Sequence, residues 1–340
     1  MKAKYVYIII GAIAIIYGFI LARNFWYDHR TPNFSATTEI YVYPGMEPAQ
    51  VLDSLIASGN VRSERSLKRA FKSEGTEVST GHYTMDKKTT SIYAVRMLRK
   101  GWQSPVALTL SGAIRSRGSL ARKIGAQMMA DSADFAAFLN SPDSLASVGT
   151  DTTLLFCHII PDTYAAIWTS TPREVIQLLF RGADQWWTPE RYELARRQGL
   201  SRAEVSTLAS IVDGETRYVP EQPTIAGVYL NRLRTGMKLQ ADPTVAYLYG
   251  YTLRRILKSH LATESPYNTY LYSGLPPGPI SCPPKSCLEA VLQPENHNYI
   301  FFCANPSMNG SHLFAATYAE HQRNAKAFQK ALTEKLRGNG

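Results

Sequence analysis

The stretch from Tyr5 to Ala22 contains no charged residue and is rich in isoleucine, and it constrains this chain more than any other segment. Roughly 18 residues at about 1.5 Å each come close to the hydrocarbon thickness of a bilayer, and tilt absorbs a small mismatch. Lys2 and Lys4 precede the run, while Arg23, Asn24, Phe25, Trp26 and Tyr27 follow it as a polar and aromatic rim. A cleavable leader has a shorter apolar region and a small-x-small cleavage site, which Ile20-Leu21-Ala22 matches poorly. The expectation is a retained anchor: a cytoplasmic tail over 1–4, a transmembrane helix over 5–24 and a linker over 25–36. Lys2 and Lys4 nearly balance Arg23 and Arg30 across the run, so charge alone leaves the orientation open. A short tail inside with the bulk exported is the simpler arrangement.

The remaining chain is long enough for two domains, since the whole has 340 residues. With 45% hydrophobic and 19% charged residues it is neither disordered nor collagen-like. Its net charge of +10 suits an acidic partner, and the anchor turns that choice from nucleic acid toward a membrane face or an anionic polymer. Cys157, Cys282, Cys287 and Cys303 lack zinc-site spacing. A small Cys282–Cys287 loop, a Cys157–Cys303 bridge and buried free thiols all remain open.

From about Thr37 to Gly149, strand-like and helical patterns alternate. Glu39 to Tyr43 reads as a strand stopped by Pro44-Gly45, and Pro48 to Ser58 as a helix, with Ser66 to Phe71 as another. Gly81 to Met85 followed by Thr90 to Arg99 repeats the strand-then-helix order, Pro105 to Leu110 is again strand-like, and Ser119 to Met129 is helical. Such β-α-α-β units occur in glycan-gripping modules, and equally in spacers without a ligand. Beyond Thr150, Thr171 to Phe180 and Pro189 to Arg197 read as helices. Gln185-Trp186-Trp187 suits either carbohydrate stacking or a covered core edge.

The chemistry concentrates between Ser201 and Pro220. Ser201 and Glu204 form a capping box that starts a helix, and Val205, Leu208, Ala209 and Val212 recur as one buried stripe. Glu215 then lies three, four and seven residues beyond Val212, Ile211 and Leu208, among apolar neighbours. Asp213 projects toward Ser206, Ala209 and Ser210, a small and polar side. Desolvation should therefore raise the pKa of Glu215 above that of Asp213, as a general acid for glycosidic cleavage requires. A solvated glutamate at a helix end gives the same local pattern. A second helix is expected over Thr224 to Arg234, ended by Gly236, followed by polar turns and a rigid Pro/Gly loop at Gly274 to Ile280.

Five separated motifs in this order carry a resemblance: Ala209-Ser210-Ile211-Val212-Asp213-Gly214-Glu215-Thr216, Asn231-Arg232-Leu233, Leu239-Gln240-Ala241-Asp242-Pro243-Thr244, Tyr267-Asn268-Thr269-Tyr270 and Gly274-Leu275-Pro276-Pro277-Gly278. Ile160 to Tyr164 and Gly310 to Phe314 add to it. The chain resembles the endolytic murein transglycosylase family (MltG, YceG-like), most strongly from Cys157 to Arg323. The family pattern usually reads Glu-x-Glu-Thr where this chain has Asp213-Gly214-Glu215-Thr216.

The resemblance implies an α+β fold: an N-terminal transmembrane helix, a LysM-like glycan-binding region over 37–149 and a YceG-like catalytic domain over 150–335. It further implies cleavage of the MurNAc-β-1,4-GlcNAc bond within strands, giving 1,6-anhydro-MurNAc ends and terminating nascent strands near the membrane. Glu215 would be the catalytic acid and base, with Gln240, Asp242, Thr244, Asn268, Thr269 and Tyr270 as substrate-binding residues. No metal or other cofactor is required. The expected partners are peptidoglycan glycan strands, the bacterial inner membrane through one helix, and peptidoglycan synthases, with no nucleic acid and with the catalytic body on the periplasmic side. Two alternatives stand beside this reading: an inverting muramidase using Glu215 and Asp242, and a non-catalytic glycan-binding scaffold. The histidines are scattered, and only His312 falls within a family-like motif.

Overall fold

The computed structural model describes residues 2–75 and 77–338, so Met1 of the expected tail lies outside the described residues. The chain forms two compact units. One comprises the described residues up to Ala107 together with Ala165–Ser170, and the other Leu108–Tyr164 with the chain from Thr171 onward.

In the first unit, helix α1 (Lys2–His29) is continuous and its apolar side chains are exposed. Among the described residues it is the one helix long and apolar enough to cross a membrane. It does not stop at residue 24. Asp28 is buried near the helix end, where its carboxylate accepts hydrogen bonds from Arg69 Nε (2.9 Å), Arg69 Nη2 (2.6 Å) and Ser66 Oγ (2.6 Å). Asn33 donates to Ser91 Oγ and accepts from the Ser63 N–H, and Phe34 is fully buried. Residues 25–36 are thus helix and core rather than the expected linker. Their partners come from sequence positions some 30 to 60 residues away, which local pattern cannot display.

Strand β1 (Thr38–Val42) alternates buried and exposed residues and pairs antiparallel with β2 (Gly81–Met85), Ile40 opposite Tyr83. Between them lie α2 (Pro48–Ala57), with Pro at its first turn, and α3 (Glu64–Glu74), capped by Ser63. Helix α4 (Ser91–Lys100) is capped by Thr90 and ends on Gly101, whose φ of 66° is the left-handed stop that glycine adopts without strain. Phe34, Val51, Leu55, Leu67, Met85 and Leu98 form the core.

The chain passes from one unit to the other within β3 (Val106–Thr109) and back within β4 (Thr163–Ala166). The division therefore falls at Ala107/Leu108 rather than at 149/150, and α5 (Arg117–Gly125), α6 (Ser132–Asn140) and α7 (Pro142–Ala146) belong with the second unit. The second unit continues with α8 (Pro172–Trp186), α9 (Pro189–Arg197), α10 (Arg202–Glu215), α11 (Gln222–Arg234), α12 (Asp242–Leu248) and α13 (Lys285–Leu292). The antiparallel hairpin β5 (Phe301–Ala304) and β6 (His312–Ala315) then leads into α14 (Tyr318–Gly338).

Helix α10 packs against α11 and α13, burying Val205, Leu208, Ile211, Ile225, Leu288 and Val291. Trp187 is buried in this core and Trp186 packs on its edge beneath the Arg191 guanidinium, 4.2 Å away, so the tryptophan pair seals a core edge. All four cysteines are free thiols, so neither of the two bridges left open by spacing forms. Burial pushes the Cys157 thiol up to about 12, and Cys282 Sγ donates to the Ile159 carbonyl.

Candidate active site

The capping box at Ser201 forms as expected. Ser201 Oγ accepts from the Glu204 N–H, and Glu204 Oε2 accepts from the Ser201 N–H at 2.7 Å. Helix α10 therefore starts in a fixed register and delivers Asp213, Gly214 and Glu215 as its last turn. A Cβ on Gly214 would stand 2.4 Å from Pro243 Cβ, so glycine is what lets the first turn of α12 approach so closely. That approach brings Asp242 into the cleft that Glu215 lines, about 280 Å³ in volume and shared with Arg115, Ala246 and Tyr251.

Glu215 is half-buried and reaches solvent through this cleft. Its Oε1 accepts a hydrogen bond from the Tyr229 hydroxyl at 2.6 Å. Burial raises the Glu215 pKa to about 7 and the nearby Asp242 charge adds to the rise, while the Tyr229 bond and the Arg232 charge oppose it. The carboxyl also sits at the C-terminal end of α10, where unpaired carbonyls disfavour negative charge. Tyr229 and Arg232 stand three residues apart on α11. Arg232 is buried, its Nε donating to the Ile300 carbonyl at 2.7 Å and its Nη1 to the Leu239 carbonyl at 2.5 Å.

Asp213 turns to the other side of the helix end, as its spacing predicts. Ser281 Oγ donates to its Oδ2 at 3.5 Å, and it lines a separate cavity with Arg217, Gln222 and Cys282. Burial raises its pKa, opposed by Arg217 and Arg115. One turn of helix thus gives two carboxylates different surroundings.

The other expected site residues divide. Asp242 is exposed at the start of α12, and its Oδ1 accepts from the Tyr270 hydroxyl at 2.6 Å. Thr244, Asn268 and Thr269 are buried instead, and their polar groups bond within the fold. Asn268 Nδ2 donates to the carbonyls of Leu261 (3.0 Å) and Thr263 (2.8 Å), and its Oδ1 accepts from the Tyr270 N–H. Thr269 Oγ1 accepts from the Ala241 N–H and pairs with Thr244 Oγ1, whose own proton goes to the Ala241 carbonyl. These three hold the turns that carry Asp242 and Tyr270. Gln240 is exposed at a left-handed φ of 48°, its backbone N–H bonded to the Thr269 carbonyl. His312 bonds through Nδ1 to Glu221 Oε2 at 2.9 Å, which ties β6 to the turn before α11.

Sequence reasoning assigned no role to Tyr229, Arg232, Arg115 or Tyr251. Tyr229 and Arg232 carried a usable signal, a tyrosine and an arginine three apart on one helix among Ile225, Ala226 and Val228. Arg115 and Tyr251 carried none, because only the fold brings them to the cleft.

The sequence model of the YceG-like family matches residues 40–327. An endolytic murein transglycosylase of Bacillus subtilis is 32% identical over 179 residues, covering 52% of this chain and 49% of that protein. One from Streptococcus pneumoniae is 26% identical over 282 residues, covering 73% of this chain and 50% of that protein. The chain spans about half the length of the curated relatives it matches. The crystal structure of a YceG-like protein from Listeria monocytogenes aligns with a TM-score of 0.55 at 25% identity, covering 85% of this chain and 99% of that one. The match over most of the residues, together with this agreement of fold, makes the chain a member of the YceG-like family.

Proposed function

We propose that the chain is an endolytic lytic transglycosylase of murein, cleaving the MurNAc-β-1,4-GlcNAc bond within glycan strands. The observation that carries this reading is the Glu215 carboxyl, held by Tyr229 at the floor of an open cleft with its pKa raised to about 7. Near neutral pH about half of such carboxyls are protonated, so one group can serve first as acid and then as base. Glu215 gives its proton to the glycosidic oxygen as the bond to C1 breaks. The resulting carboxylate takes the proton from the C6 hydroxyl of the same MurNAc as that oxygen closes on C1. The product is a 1,6-anhydro end, no water is consumed, and Glu215 is again protonated. Asp242, which lines the cleft and is bonded by Tyr270, stabilises the positive charge that develops on the sugar ring.

In the same reading α1 anchors the chain in the bacterial inner membrane, with the chain beyond α1 on the periplasmic side. The first unit is a LysM-like glycan-binding module, supported by its β1-α2-α3-β2 order. The anchor holds the cleft near the sites of strand synthesis, so the enzyme terminates nascent strands beside peptidoglycan synthases.

Asp242 also supports a second reading, an inverting muramidase in which its carboxylate activates water. Mass spectrometry of digested murein separates the two. Anhydro ends support the transglycosylase, whereas products heavier by one water per cut would establish the hydrolase. Digestion by Glu215→Gln at the wild-type rate would remove Glu215 from the chemistry, and no cleavage by the wild type would leave only a glycan-binding scaffold.

A further inference from the structure

The catalytic cleft is not the largest cavity in the second unit. A hollow of about 850 Å³ adjoins it, and Arg115 and Tyr251 line both. Three arginines face this hollow: Arg115 and Arg117, both half-buried, and Arg122, exposed. Among the described residues none of the three has a carboxylate within ion-pair distance, as is also true of Arg173, Arg181 and Arg217 in the same unit; what sets the three apart is that they line one hollow together. Arg115 instead lies 4.8 Å from the centroid of the Tyr251 ring, and Arg117 Nη1 makes one long contact to the Leu139 carbonyl at 3.3 Å. No Asp or Glu lines the hollow among the described residues, although Arg115 also faces Glu215 and Asp242 in the cleft and its charge acts on Asp213. Asp151 caps the backbone N–H groups of Thr153 and Leu154, and Asp213 lines a different cavity. Tyr247, Tyr251 and Tyr267 supply an aromatic wall, with Tyr247 and Tyr267 only 4.8 Å apart between centroids.

Unpaired guanidinium groups beside aromatic faces are suited to a planar anion carried on an otherwise neutral body. We propose that this hollow is a subsite for the carboxylate-bearing peptide branch of the glycan strand, with Arg117 and Arg122 binding its carboxylates while the sugar backbone lies in the Glu215 cleft. The inference rests on the murein reading of that cleft. It makes the peptide branch part of what the enzyme selects, and gives the protein's positive charge a local recognition role.

The test compares uncrosslinked peptide-bearing strands with the same strands stripped of peptide by an amidase, using the full chain and an Arg117→Ala/Arg122→Ala variant. The wild type is expected to favour peptide-bearing strands by about tenfold in kcat/KM, as two charge-assisted contacts allow. In the variant that preference collapses through a higher KM on peptide-bearing strands, with kcat retained. Arg117→Lys/Arg122→Lys, which keeps the charge but loses the planar fork, recovers part of it. A wild type indifferent to the peptide, or a variant that slows both substrates equally, overturns the subsite. Binding of soluble peptide-bearing muropeptides to Glu215→Gln, measured by calorimetry with and without the arginine changes, keeps the two claims apart. Failure of Glu215→Gln to stop cleavage strikes the catalytic reading, and undiminished peptide binding by the arginine variant strikes the subsite.

Discussion

Two groups of polar residues meet around α12, and they differ in what their hydrogen bonds face. In the cleft, Glu215 accepts one hydrogen bond from Tyr229 and Asp242 one from Tyr270, and both carboxylates line open space. Beneath it, Thr244, Asn268 and Thr269 bond to backbone and to each other with almost no exposure. Both groups come from the same family-like motifs, so a polar residue in such a motif is as often scaffold as contact. The cleft group should carry rate and the buried group stability.

The sharpest way to break this contrast is Glu215→Gln, which should cut strand cleavage by at least about a thousandfold while leaving the fold intact. Residual activity near wild type in a product assay would remove the distinction altogether. Asn268→Ala should do the opposite: it leaves two carbonyls and one N–H without partners and should lose roughly 3 kcal/mol in denaturant unfolding, with activity per folded molecule retained.

The third prediction follows from the raised pKa of Glu215. Protonation is favoured in the folded state, so the stability this group contributes is complete below its ordinary value of 4.5 and is lost as pH rises through about 7. Glu215→Gln should melt with the wild type below pH 4.5 and become more stable as pH rises, by up to roughly 3 kcal/mol well above pH 7. Activity should fall over the same upper limb, because the acid form is what starts the reaction. A pH-independent difference between the two melting curves would contradict the assignment.

Tyr270→Phe should lower kcat by about tenfold with little change in melting temperature, since one hydrogen bond to an exposed carboxylate is removed. Least of all, Gln240→Gly should relieve a left-handed φ and raise stability by about 0.5 kcal/mol. A large loss of KM-dependent rate in that variant would restore Gln240 as a sugar contact.

What could be read beforehand was local. The capping box at Ser201, the apolar stripe of α10 and the different surroundings of Asp213 and Glu215 depend on spacing within one helix, and the structure reproduces them. The strands at Glu39 and Gly81 and the helices around them follow the same logic. The unread part depends on contacts far apart in the chain. Tyr229 reaching Glu215, Arg115 entering the cleft, Asp28 meeting Arg69 and the unit boundary at Ala107 all require the fold before they can be seen. The thiols belong here too, because proximity along the chain at Cys282 and Cys287 says nothing about whether two sulfurs face each other.

The continuity of α1 into the first unit has a mechanical consequence. A flexible tether would let that unit roam a volume set by chain entropy. A helix locked through Asp28 to Arg69 and Ser66 acts as a mast. On the reading of α1 as an anchor, the residues between Ala22 and His29 hold the unit about 10 Å above the apolar layer, a height set by helical rise rather than by diffusion. Any tilt of the helix in the bilayer would then swing the β1–β2 sheet through the same angle.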